Sequence, residues 1–312
     1  MSRIHDALKK AEQERVGTPM PPTVPEAPGP RAPAAVVTET IPAKVVEESV
    51  PPPRRLVPEA TAAPRSDGWL DRCTVAQWNP DPRQIVVSPQ AGAALGIEEF
   101  RSLRSRLYQS RDMAPLRTVL ITSALPQEGK TFVAANLAHA IVRQHERRAL
   151  LIDCDLRWSR LHQLLGTHLS PGLTEYLRGE ADEQAILQRG ALENLFFIPG
   201  GKSAPNAAEL IVNGRLKALL DHLAPLFDWV ILDSPPAMAM SDASLLADLC
   251  DGVLLVVAAG TTPFDMAQKT REQLKKGRLL GVALNRVEPH SSFSSYYYGY
   301  YDRGKSRKDS KG

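Results

Sequence analysis

From residue 117 onward the chain alternates short continuous apolar runs with stretches whose apolar residues recur every three or four positions. The runs predict strands over 117–122, 148–153, 194–198, 228–233, 252–258 and 280–285. The periodic stretches predict helices over 130–145, 160–165, 172–178, 182–189, 206–223, 241–249 and 265–277. Strands that are apolar along their whole length and separated by helices imply an α/β fold, a mostly parallel sheet with helices on both faces. In such sheets ligands gather at the carboxyl ends of the strands. The residues just after each run are therefore the ones to inspect for chemistry.

Upstream of residue 117 the pattern differs. Residues 2–15 read as a short amphipathic helix with Ile4, Ala7, Leu8 and Ala11 on one face and Ser2 as a possible cap. A helix this short is marginal alone; it is either a docking element or a solvated end without a role. From 17 to 66 the composition changes, and half of the chain's 26 prolines fall there. Such a stretch cannot build a core, so it predicts a disordered, locally extended linker. A folded domain is expected over 67–290. Within it, Leu95, Phe100, Leu103 and Leu107 form a helical stripe, while Glu98, Arg101 and Arg104 recur every third residue beside it. That row is either i,i+3 pairing on a solvated helix, worth tenths of a kcal/mol, or charges that meet another subunit. Periodicity does not choose between them.

The first run leads into SALPQEGKT, followed by a helical pattern. Strand, loop and helix in that order are the context of a phosphate-binding loop. The free N–H groups and positive dipole end of a helix start favour an anion. Gly129 lets backbone approach a phosphate, Lys130 reaches the β/γ-phosphates and Thr131 offers a hydroxyl to Mg²⁺. The pattern G-x-x-x-x-G-K-[ST] departs at its first Gly, which here is Ala124. The second run ends in Asp153-Cys154-Asp155-Leu156-Arg157, and the fourth in Asp233-Ser234-Pro235-Pro236. An acid closing an apolar strand is the usual Walker B placement, where it helps hold Mg²⁺. Each acid alone could be a cap or a loop residue; three beside a GKT loop argue for a cation site. The last run ends in Asn285, whose amide could read an adenine edge or cap a loop.

Composition narrows the field. A formal net charge of +3 does not argue for nucleic acid. The longest apolar stretches fall short of the roughly 18 to 20 residues of a spanning helix, and the first ten residues lack an apolar signal core. The expectation is a cytoplasmic protein. Three widely spaced cysteines suggest neither a disulfide framework nor a zinc site. Residues 291–301 hold five of the seven tyrosines, Tyr296, Tyr297, Tyr298, Tyr300 and Tyr301, without helical or strand period, before a polar, basic end. The cluster either packs on the surface or is modified. Each phosphate would add about −1.5 to −2 charge and turn this flexible tail, 291–312, acidic.

Taken together, residues 89–301 resemble the bacterial tyrosine kinases, or BY-kinases, of polysaccharide export systems. The resemblance rests on the relaxed Walker A loop SALPQEGKT, the DxDxR segment DCDLR, the Walker B segment LDSPP, GGKSAPNAAEL, the SDA at 241–243 and the tyrosine cluster. It also rests on the E-x-x-R-x-x-R motif of Glu98, Arg101 and Arg104. The resemblance implies a P-loop NTPase-like fold and ATP and Mg²⁺ as cofactors. It implies that Lys130 contacts the phosphates, that Thr131, Asp155 and Asp233 hold the metal, and that Asp153 is the candidate base. Nucleotide binding would run through Gln127, Glu128, Gly129, Lys130, Thr131 and Phe132, with Asn285 at the adenine.

The resemblance further implies a homo-oligomeric ring joined through Glu98, Arg101 and Arg104, with tail tyrosines phosphorylated in trans and the ring dissociating as charge accumulates. It implies control of exopolysaccharide or capsule assembly. It places the kinase at the inner face of the membrane through a separate membrane-spanning activator, with a protein-tyrosine phosphatase as a further partner and no nucleic acid. The rival class is the partitioning and cell-division positioning ATPases, which share the sheet and acids. Those usually carry a signature Lys where this chain has Leu125, and do not usually end in a Tyr cluster.

Overall fold

The computed structural model describes residues 67–87, 94–144 and 146–287. The expected N-terminal helix, the proline-rich linker and the five tail tyrosines lie outside the described residues. Eight strands form one sheet: β1 (Thr74–Val75), β2 (Thr118–Ser123), β3 (Ala149–Asp153), β4 (Gln188–Arg189), β5 (Leu195–Ile198), β6 (Trp229–Asp233), β7 (Gly252–Ala258) and β8 (Leu279–Asn285). Their spatial order is β1-β4-β5-β3-β6-β2-β7-β8. Every pairing is parallel except β4 with β5.

The inner strands β2, β3, β5 and β6 are buried from end to end, as their unbroken apolar runs require. Successive residues feed opposite faces. Leu120, Leu150, Ile152, Val230 and Leu232 pack on one side. Val119, Ile121, Leu151, Trp229 and Ile231 pack on the other. The helices are α1 (Asp67–Leu70), α2 (Ala94–Met113), α3 (Lys130–Val142), α4 (Leu161–Leu165), α5 (Leu173–Arg178), α6 (Glu183–Ile186), α7 (Ala207–Val212), α8 (Arg215–Leu223), α9 (Asp242–Ala247) and α10 (Phe264–Gln273). Helix α3 is buried along most of its length. Its Asn136 donates to Gln84 O at 2.7 Å and accepts from the Val87 N–H, which pins the segment before α2 to the core.

Two expectations need correction, and two short strands were not anticipated. The helix predicted over 182–189 stops at Ile186, and Gln188–Arg189 joins the sheet as β4. The helix predicted over 206–223 is two, α7 and α8, because the chain breaks at Gly214, whose φ of 87° is left-handed. The two-residue strands β1 and β4 have no counterpart in the apolar pattern.

Candidate active site

Strand register brings the acids together before any side chain is considered. Asp153 and Asp233 are Cα partners at the ends of adjacent parallel strands, and Ile121 of β2 is the partner of Asp233 on its other side. The loop from β2 into α3 thus lies beside both carboxylates.

That loop is held in shape by its own side chains and two distant residues. Gln127 and Gly129 have φ of 64° and 94°. The Leu125 N–H donates to Glu128 Oε2 at 2.6 Å, and Thr262 Oγ1 donates to Glu128 Oε1. Asn285 Nδ2 donates to Glu128 O at 2.8 Å, and a Cβ on Gly129 would fall 2.0 Å from that nitrogen. Asn285, at the end of β8, therefore lies against the loop with its amide nitrogen engaged there. Ala124 is fully buried and lacks a positive φ, so this position does not require glycine. Phe132 packs against Phe100, tying α3 to α2.

Lys130 and Thr131 open α3 and reach the acids. Thr131 Oγ1 donates to Asp233 Oδ2 at 2.7 Å. Lys130 Nζ lies 3.5 Å from Asp155 Oδ2 and 3.3 Å from Thr131 Oγ1. Burial alone would lower the Lys130 pKa, but Asp233, Asp155 and Asp153 together outweigh it and hold the ammonium charged. Burial pushes Asp233 up to about 7, opposed by Lys130 and reinforced by Asp153. Its Oδ1 is buried without a hydrogen-bond partner. An orphaned carboxylate oxygen beside a hydroxyl and a second carboxylate is a donor set that suits a hard divalent cation.

Asp153 is occupied differently. Its Oδ1 accepts from the Asp155 N–H, and its Oδ2 accepts from Ser159 Oγ at 2.6 Å and from the N–H groups of Arg160 and Leu161. Burial still raises it to about 6, against the pull of Ser159. The carboxylate shapes the loop that presents Asp155. Arg157 leaves the acid cluster and pairs with buried Asp242, with Nε 2.9 Å from Oδ2, while also donating to Pro205 O. The DCDLR segment is thereby tied to the SDA segment and to the loop after β5. Ser159, Thr262 and Asp242 shape the site from elsewhere in the chain. Of these only the SDA motif carried a signal in the sequence.

Glu98 and Arg101 sit apart on α2, exposed and paired with each other, while Arg104 Nη1 donates to Ala140 O at 2.6 Å. The structure brings Lys130, Thr131, Asp153, Asp155, Asp233 and Asn285 to one end of the sheet. It leaves the Glu/Arg row on a separate helix face.

A mostly parallel sheet with this loop and acid set defines a nucleotide-binding domain of the P-loop α/β class. The family described as CobQ/CobB/MinD/ParA nucleotide binding domain (CbiA) matches residues 119–305. The chain is 33% identical over 221 residues to the tyrosine-protein kinase YwqD of Bacillus subtilis, covering 70% of this chain and 92% of that one. It is 32% identical over 210 residues to the tyrosine-protein kinase wzc of Salmonella typhimurium, covering 67% of this chain but 29% of that longer relative. Among solved structures, the kinase domain of the Escherichia coli tyrosine kinase ETK superposes with a TM-score of 0.63 at 30% identity, covering 67% of this chain and 82% of that one. The chain belongs to the bacterial tyrosine-protein kinase family.

Proposed function

We propose that this chain transfers the γ-phosphoryl group of ATP to the tyrosines of its own C-terminal tail in trans. The observation that carries this reading is the cluster of Lys130, Thr131, Asp155 and Asp233, with Asp233 Oδ1 left unpaired. Thr131, Asp155 and Asp233 would hold Mg²⁺, which when bound would supply charge neutralisation for the transferring phosphoryl group. In this reading the loop backbone from Gln127 to Lys130 cradles the phosphates, the Lys130 ammonium pairs with them, and Asn285, whose Nδ2 donates to Glu128 O, meets the base through its remaining amide atoms. A loose phosphoryl-transfer transition state asks mainly for positioning and charge neutralisation, and Asp153 contributes by fixing the loop that carries Asp155.

The acceptors are Tyr296, Tyr297, Tyr298, Tyr300 and Tyr301. Subunits associate through Glu98, Arg101 and Arg104, and accumulated phosphate on the tails separates them. The setting is polysaccharide assembly and export at the inner face of the membrane, reached through a membrane-spanning activator and reversed by a phosphatase. Among the described residues no helix is long and apolar enough to cross a membrane.

The test is full-length protein with Mg-ATP, probed for phosphotyrosine beside Lys130→Met and a variant with all five tail tyrosines changed to Phe. The wild type should label, and both variants should not. Hydrolysis of ATP without phosphotyrosine would instead mark a positioning-type ATPase.

A further inference from the structure

Trp158, three residues after Asp155, is a large aromatic residue left in water. The residue is 63% exposed, the only exposed one of the chain's four tryptophans. Trp69, Trp78 and Trp229 each pack against another ring. Trp158 has no ring contact among the described residues.

The backbone beneath it is firmly held. The Trp158 N–H donates to Asp155 Oδ1 at 3.1 Å. On one side Arg157 pairs with Asp242, and on the other Ser159 donates to Asp153. Each flanking residue is thus tied to a fixed acid, and residue 158 itself to a proposed metal ligand. A rigid backbone presenting an unpartnered aromatic ring loses little freedom on binding, which favours contact through that ring.

We propose that Trp158 is a substrate-recognition residue whose indole stacks on a tyrosine ring of the tail segment, residues 291–301, of a second copy of this chain. The inference rests on the tail being the kinase substrate. Between 291 and 301 the segment SSFSSYYYGYY carries no charge, so ionic contacts with its side chains cannot select it before phosphorylation. Its distinguishing chemistry is aromatic, and ring pairing adds attraction beyond area burial in proportion to the geometry achieved. The Trp158 backbone N–H is hydrogen-bonded to Asp155, so the indole is carried on the same short segment as a proposed metal ligand.

The experiment uses the full-length chain with its five tail tyrosines changed to Phe as enzyme, and a synthetic peptide of residues 289–303 as substrate, at saturating Mg-ATP. Trp158→Ala should raise KM for the peptide about fivefold to tenfold. Its kcat and nucleotide affinity should stay near those of the parent, and Trp158→Phe should restore most of the loss. In a second arm, peptide is titrated into the Lys130→Met chain while tryptophan emission is followed. The emission should shift, and adding Trp158→Phe should abolish the shift. An unchanged KM in Trp158→Ala, or an emission change that survives Trp158→Phe, overturns the inference. Absence of any phosphotyrosine from the wild-type chain would defeat the kinase reading instead, and the emission arm would still decide whether Trp158 meets the tail.

Discussion

Thr131 and Asp233, 102 residues apart in sequence, are joined by a 2.7 Å hydrogen bond from Oγ1 to Oδ2. The bond fixes the first turn of α3 against the end of β6 and leaves the other Asp233 oxygen without a partner. A buried carboxylate held this way is suited to a cation and poorly suited to the protein alone.

Asp233→Asn should therefore trade activity for stability. The amide lacks the negative charge, and phosphotyrosine formation should fall by about a hundredfold or more. The pH dependence follows from the raised pKa. Burial lifts the folded-state carboxyl to about 7, while in the unfolded chain it titrates near ~4. Between these values the folded state keeps a proton that the unfolded chain has released. The stabilisation from that proton is complete at low pH and is lost as pH rises through the folded value. Without nucleotide, the wild-type Tm should fall from about pH 5 to about pH 8, and Asp233→Asn should fall less and melt higher at the upper end. Melting curves across that range check this; an Asn variant that melts lower than wild type at pH 8 contradicts it.

Lys130→Met removes the cation that Asp155 and Asp233 share. At pH 8 the acids would face one another uncompensated, and loss of a buried ion partner destabilises by about 3 kcal/mol. At pH 5 the raised carboxyls Asp153 and Asp233 can take up protons, so the deficit should shrink. Comparing the two proteins' denaturant midpoints at both pH values tests the coupling. A deficit that is equal at pH 5 and pH 8 would show that Lys130 acts there through packing rather than charge.

The inner strands were legible because each is an unbroken apolar run, and the acids because Asp153 and Asp233 close two of those runs, with Asp155 just beyond the first. Strands β1 and β4 were not, since two residues such as Gln188 and Arg189 leave no periodic signal. The break at Gly214 was hidden because apolar residues continue at helical spacing on both sides of it. Glu128 shows a different limit. Its place in the loop marks it for nucleotide binding, yet its buried carboxylate staples the loop to itself and to Thr262 across 134 residues. Long-range contacts of that kind have no sequence period. The same holds for Arg157, whose partner Asp242 is 85 residues away.

Gly129 is conformationally committed. Its φ of 94° strains any L side chain, and a Cβ there would strike Asn285 Nδ2 at 2.0 Å. Gly129→Ala should destabilise by about 1–2 kcal/mol from backbone strain, push Asn285 off Glu128 O and weaken nucleotide binding. Removing the obstacle with Asn285→Ala in the same chain should relieve the collision but not the strain. The double variant should therefore be less impaired in stability than the two single changes sum to, a difference that a double-mutant cycle reads directly. Simple additivity would mean that the two side chains do not meet.

Arg157 ends the DCDLR segment, but its partner is Asp242 at the start of α9 rather than the acids that precede it. The Asp242 carboxylate is buried, with Arg157 Nε at 2.9 Å, and the same guanidinium donates to Pro205 O in the loop after β5. Arg157→Ala would leave a buried carboxylate without its cation, and the expected loss is about 2–3 kcal/mol. Arg157→Lys should recover only part of it, because a single ammonium cannot span two acceptors in the way the planar fork does. Arg157→Ala with Asp242→Ala should be more stable than Arg157→Ala alone, since the second change removes the stranded charge. The activity pattern separates two roles. If Arg157 serves the site through the loop it braces, the double variant should regain stability while phosphotyrosine formation stays low, because Asp155 is still carried on an unbraced segment. Activity that returns with stability would show that the pair contributes to the fold alone.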